Sequence, residues 1–173
     1  MNRVLIIYGA APCNADDYTE ARRLVGDADV AGVGLDTSLV RVPFKWIVTL
    51  HPIEAEEIRL RRNNGDLGAI TIVAHELTDE NGEAYDVDVF APYVPPSGSS
   101  ALLGVFHGLR MGYRKIILCG CPLMGKNERG VEYSSFRKGF EGHYDEIAGW
   151  VKSMSGWTRD FLGAPSEAWI DAE

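Results

Sequence analysis

Pro95-Pro96-Ser97-Gly98-Ser99-Ser100-Ala101 runs into Leu102-Leu103-Gly104-Val105-Phe106, and then into Met111-Gly112-Tyr113-Arg114-Lys115-Ile116-Ile117-Leu118-Cys119-Gly120. The three blocks read as a hydroxyl-rich loop, a helix of about three turns, and a tight turn into a buried strand. The first N–H groups of a helix have no partner within it. Together with the helix dipole they attract anions such as phosphate. Serine capping of an ordinary helix explains Ser97 or Ser99 equally well.

The rest of the chain repeats the same alternation. Arg3-Val4-Leu5-Ile6-Ile7-Tyr8 is an apolar strand that stops at Gly9. Further strands are expected over 28–33, 44–50, 69–74, 114–120 and 151–155. Helices are expected up to Val25 behind a cap at Asp16 or Asp17, over 53–63, 99–111 and 141–150, and as a tail broken at Gly163-Ala164-Pro165. Strands that are apolar on both faces and alternate with helices indicate a mainly parallel sheet covered on both sides. Residues 75–96 interrupt the rhythm with acids, the turn Glu80-Asn81-Gly82 and the alternating Tyr85, Val87 and Val89, a pattern expected for a surface hairpin or a lid. Residues 122–140, rich in Gly, Lys, Arg and Ser, read as a long mobile loop.

The 173 residues suffice for one domain with a full core. A formal net charge of −8 argues against a general nucleic-acid binder, yet leaves room for a local anion pocket. No apolar run approaches the ~20 residues that a membrane helix needs. Three cysteines, Cys13, Cys119 and Cys121, with no leader-like start point to reduced thiols in the cytoplasm. Their spacing does not suit zinc, the acids of 76–88 form no Asp-x-Asp clamp, and no metal or cofactor is expected.

In such sheets ligands sit beyond the carboxyl ends of the strands. The turns at 9–14, 34–38, 51–53, 95–100 and 120–127 are therefore expected to converge on one cleft. The usual dinucleotide fingerprint, phosphate loop and nucleophile elbow are all absent. Of the four histidines, His51 and His75 end strands and face the expected cleft, and His107 lies inside a helix. His143 follows the basic loop and is a candidate general base. Lys126, Arg129, Arg137 and Lys138 are cations able to close over phosphates, or simply a solvated loop.

Val4-Leu5-Ile6-Ile7 with Gly9-x-x-Pro12, Asp29-Val30, Leu50-His51-Pro52, and Ser99-Ser100 ahead of Gly112-Tyr113-Arg114-Lys115-Ile116-Ile117-Leu118-Cys119-Gly120 resemble the bacterial sialyltransferases of the Campylobacter type. The same residues are similar to the hydroxymethylpterin pyrophosphokinase-like proteins and to small phage proteins of unknown role. The resemblance spans roughly residues 3–125. The alternation of strands and helices over the whole chain predicts a Rossmann-like single domain over 1–173, with a mainly parallel sheet flanked by helices, and the resemblance agrees with it. The resemblance implies a nucleotide site at Gly9, Ala10, Gly34, His51, Ser99 and Ser100, which the serine loop and the strand-end turn extend to Ser97, Gly98 and Gly120. That family places asparagines where this chain has Ala10, Gly34 and His51, and each lost contact weakens a ligand by ~1–3 kcal/mol. The expected partner is a nucleotide or nucleotide-activated small molecule, and self-association is compatible with these readings. The expected activities are glycosyl transfer with His143 as base, pyrophosphoryl transfer to a pterin-like alcohol, or a non-catalytic phage-type accessory role that retains the fold.

Overall fold

A computed structural model describes residues 3–75, 81–83, 85–92, 99–126, 130 and 132–172. The strands are β1 (Val4–Tyr8), β2 (Asp29–Val33), β3 (Trp46–Thr49), β4 (Thr71–His75), β5 (Val89–Ala91), β6 (Lys115–Cys119) and β7 (Val151–Ser153). The helices are α1 (Asn14–Val25), α2 (Ala55–Asn64), α3 (Ser100–Arg110), α4 (Arg137–Gly142), α5 (Tyr144–Ile147), α6 (Gly156–Leu162) and α7 (Glu167–Asp171). All seven strands are parallel, in the order β5-β4-β3-β2-β1-β6-β7. This is an α/β, Rossmann-like domain.

Side chains alternate across the sheet, which explains why the strands are apolar throughout. Leu5 and Ile7 point to the face where Leu102, Leu103 and Val105 of α3 pack with Trp46 and Val48. Ile6 and Tyr8 point to the other face, onto Ala21 of α1, Ile58 of α2 and Phe44. Each such fully buried side chain stabilises the fold by ~1.5–3 kcal/mol. The chain lays β1 to β5 down in one direction and then returns through α3, which packs across β3, β2 and β1, to place β6 on the far side of β1. The winding reverses between β1 and β6.

Three local expectations are corrected. The 75–96 segment contributes β5, whose Val89 and Phe90 pair in parallel with Val73 and Ala74, so this strand is not the return arm of a hairpin from β4. Glu80 of the expected turn lies outside the described residues. Residues 122–140 include a 3-10 turn at Tyr133–Phe136 and the start of α4, where no helical period is legible in the sequence. Finally, α1 begins after Cys13 with no side-chain cap, and Asp17 is turned inward to a different task. Among the described residues no helix is long and apolar enough to cross a membrane.

At the amino ends of the strands, Asp29 collects hydrogen bonds from Arg3 (3.0 Å), Lys45 (3.0 Å) and the Tyr113 hydroxyl. Burial raises its pKa, but the three donors outweigh burial and hold the carboxyl at about 2, against an ordinary 3.8. A depressed pKa stabilises the fold above the unfolded value, and that contribution is lost as pH falls through the folded one. With the side chain 33% exposed, solvent screening reduces the effect to about 1 kcal/mol. Asp29→Asn is therefore expected to lower the urea midpoint at pH 7. The gap from the unsubstituted protein should close between pH 4 and pH 2, and an equal gap at both ends of that range would rule out a role for the Asp29 charge.

Candidate functional site

The turns after β1 and β6 are sewn together by main chain. Gly9 N–H donates to Cys119 O (2.7 Å) and Ala11 N–H to Gly120 O (3.2 Å). A Cβ on Gly9 would lie 2.3 Å from Gly120 O and 2.6 Å from Cys121 Sγ, so no other residue fits without displacement. Gly120 has φ +64°, and its own Cβ would lie 2.4 Å from Asn14 Cβ. The Asn14 amide donates to Gly9 O (3.1 Å). The buried Asp17 carboxylate accepts from Gly120 N–H (2.8 Å) and from Ser155 Oγ (2.6 Å). One acid on α1 thus fixes the β6 turn and the segment after β7. Burial pushes the Cys121 thiol up to about 12 and raises the Cys119 and Cys13 thiols, which keeps all three protonated and poor nucleophiles.

The turns after β2 and β3 meet the start of α3. Gly34 N–H donates to Val48 O (2.8 Å), with φ +71° and open space where a side chain would stand. Ser100 Oγ accepts from Leu50 N–H (3.0 Å), which pins the first residue of α3 to the end of β3. Ser99 caps the helix by accepting from Leu102 N–H (3.4 Å). The N–H groups of Ser100 and Ala101 have no partner among the described residues. Thr49 Oγ1 donates to Glu54 (2.8 Å) and accepts from His51 N–H (3.0 Å), shaping the exit of β3.

A cavity of about 490 Å³ opens over these turns. Gly9, Ala10, Gly34, His51, Ser99, Ser100 and Gly120 all line it, so the structure brings together every described residue expected at the site except His143. Ser97 and Gly98 lie outside the described residues. Asp36, Glu54, Arg61 and Phe136 also line the cavity and are not singled out as site residues by the sequence; Tyr133, which the sequence offers for a phosphate contact or ring stacking as readily as for plain packing, lines it too. The acid after β2 is the signal that would have found Asp36, since an acid there meets the ribose in dinucleotide folds. The others come from segments whose approach to the site is set by tertiary packing.

His143 requires correction. It stands between α4 and α5, its ring edge-on to Phe106 (5.0 Å) and its Nδ1 2.7 Å from Glu146 Oε1, and it is not among the residues lining the cleft. Two of the four expected loop cations serve structural contacts. Lys126 pairs with Glu132 (3.1 Å), and Arg137 donates to Leu123 O (3.0 and 2.9 Å) while lying 5.1 Å over Trp157. Arg129 lies outside the described residues, and Lys138 is exposed. His107 is buried edge-on against Trp46 (5.2 Å), with its pKa lowered by burial and by Arg110. His75 is half-buried, its pKa lowered by burial and by the charge of His51. Among the described residues no group of three or more His, Cys, Asp or Glu is placed to hold a metal ion.

Fold and site together define a parallel α/β domain with a ligand-sized cleft where its winding reverses. Set against protein-family models, curated proteins and solved structures, the chain matches none of them.

Proposed function

We propose that the cleft binds a nucleotide or nucleotide-activated compound, with its phosphoryl groups toward the start of α3 and His51. The observation that carries this reading is the cavity of about 490 Å³ at the β1–β6 reversal, into which the turns after four strands and the first residues of α3 all open. N–H groups of Ser100 and Ala101 that have no partner among the described residues suit an anion there, and Arg61 adds a guanidinium to the lining. Glycosyl transfer, as in the sialyltransferases that the sequence resembles, would then draw its base from the cleft wall, where His51 takes the place first given to His143. A second reading, metal-assisted phosphoryl transfer, is favoured by the two carboxylates Asp36 and Glu54 among the residues that line the cavity.

The test is thermal unfolding with CMP, CDP, UDP, ATP and GDP, each with and without Mg²⁺. A bound ligand at 100 times its Kd stabilises by about 2.7 kcal/mol, which is visible as a shift of several degrees. A shift without Mg²⁺ supports the first reading, and a shift that requires Mg²⁺ supports the second. Ala10→Asp places an anion at the exposed mouth of the first turn and is expected to abolish the shift while leaving the ligand-free melting temperature unchanged. Silence across the whole panel would remove both readings.

A further inference from the structure

We infer that the ligand is a nucleoside diphosphate, bare or as the activating part of a larger compound, with its base lying on the rings of Tyr133 and Phe136; this rests on the nucleotide reading above and gives it a class and an orientation. Both rings line the cavity, half-buried, with centroids 6.4 Å apart and planes at 60°. They are not stacked on each other, so they form an angled wall that can receive a flat heterocycle. The wall is held in place. Tyr133 N–H donates to Gly125 O (3.0 Å), Lys126 and Glu132 form an antiparallel bridge reinforced by their ion pair, and Arg137 grips Leu123 O with two donors. A wall fixed in advance loses little entropy when a ring settles on it.

The reach of the cleft sets the size of the ligand. The rings follow β6, and the start of α3 is pinned to the end of β3. In the sheet these strands are three steps apart, β6 to β1 to β2 to β3. At about 4.8 Å per step the ends of β6 and β3, whose following turns both line the cleft, are ~14 Å apart. A base, a ribose and two phosphoryl groups extend over such a span, whereas inorganic pyrophosphate or a sugar phosphate falls short. Asp36, exposed after β2, lies between the two ends. A carboxylate repels phosphate but accepts from hydroxyls, so the ribose fits beside it.

The test is calorimetric titration of UDP, ADP, ribose 5-phosphate and inorganic pyrophosphate into the unsubstituted protein, Tyr133→Ala and Tyr133→Phe. Loss of one stacked ring is expected to weaken UDP or ADP about tenfold in Tyr133→Ala, with pyrophosphate changed less than twofold. Tyr133→Phe, which keeps the ring and removes only the hydroxyl, is expected to retain the affinity. Nucleoside diphosphates bound no more tightly than pyrophosphate, or equally well by Tyr133→Ala, would overturn the stacking and leave nucleotide binding intact. Affinity as weak in Tyr133→Phe as in Tyr133→Ala would overturn the stacking likewise, since the hydroxyl and not the ring would then hold the ligand. No binding of any nucleotide would overturn the stacking and the nucleotide reading together.

Discussion

Gly9→Ala is expected to destabilise the fold by about 3 kcal/mol or more, a large share of the roughly 5–15 kcal/mol that holds a domain folded. The added methyl would meet the carbonyl oxygen of Gly120 at 2.3 Å, and that atom belongs to main chain, not to a side chain that can swing away. Retreat of the Gly120 turn would break the bonds from Gly9 N–H to Cys119 O and from Ala11 N–H to Gly120 O. Gly120→Ala attacks the same contact from the other side, with the further strain of φ +64°. Gly104→Ala is the control. Its Cβ would reach Ile7 Cδ1 at an ordinary 3.5 Å, and alanine is favoured over glycine within a helix by up to about 1 kcal/mol. Urea midpoints of the three variants are the measurement, with Gly104→Ala expected at or above the unsubstituted protein. A midpoint for Gly9→Ala equal to that of the unsubstituted protein would show that the two turns are not in contact as described.

Asp17→Ala carries the second large effect. It removes the acceptor for a buried Gly120 N–H and for Ser155 Oγ at once, and buried donors left unmatched destabilise by ~1–3 kcal/mol each. A loss of about 3 kcal/mol is expected. Asn at this position keeps one acceptor and should lose less. A double-mutant cycle with Ser155→Ala isolates the pair, and a coupling of about 1 kcal/mol or more is expected. Simple additivity would mean that the Asp17–Ser155 bond contributes nothing. Because Gly120 lines the cleft, the proposed nucleotide binding, measured on Asp17→Asn, should weaken together with stability.

Both effects lie where the sequence is hardest to read. Val4-Leu5-Ile6-Ile7-Tyr8 and Lys115-Ile116-Ile117-Leu118-Cys119 are legible as strands because burial on two faces leaves no polar position within them. The breaker Gly163-Ala164-Pro165 ends α6 as expected, with Gly163 at φ +86°. Asp17 looks like a helix cap because a cap is a local device, whereas its partner Gly120 is 103 residues away. The short strand β5 is obscured by the acids around it, Asp86 and Asp88, which Arg59 of α2 neutralises at 2.9 and 3.1 Å. The cleft residues at strand ends are legible because the parallel fold itself places them there. Tyr133, Phe136 and Arg61 reach the same cavity by packing, which no period in the sequence encodes. His143 fails for the converse reason. Its basic, glycine-rich surroundings suggest a mobile loop over the cleft, but the helix that follows turns the imidazole onto Phe106.

The hydrogen-bond ladder between β1 and β6 does not stop where the strands do; it continues through Gly9 and Ala11 into the floor of the cleft. The amide protons of Gly9, Ala11 and Gly120 should consequently exchange with deuterium as slowly as those of the central strands, at rates that report global rather than local opening. A ligand bound as proposed would meet a surface already at its final shape, and its capture would be governed by diffusion and charge rather than by waiting for the protein to rearrange.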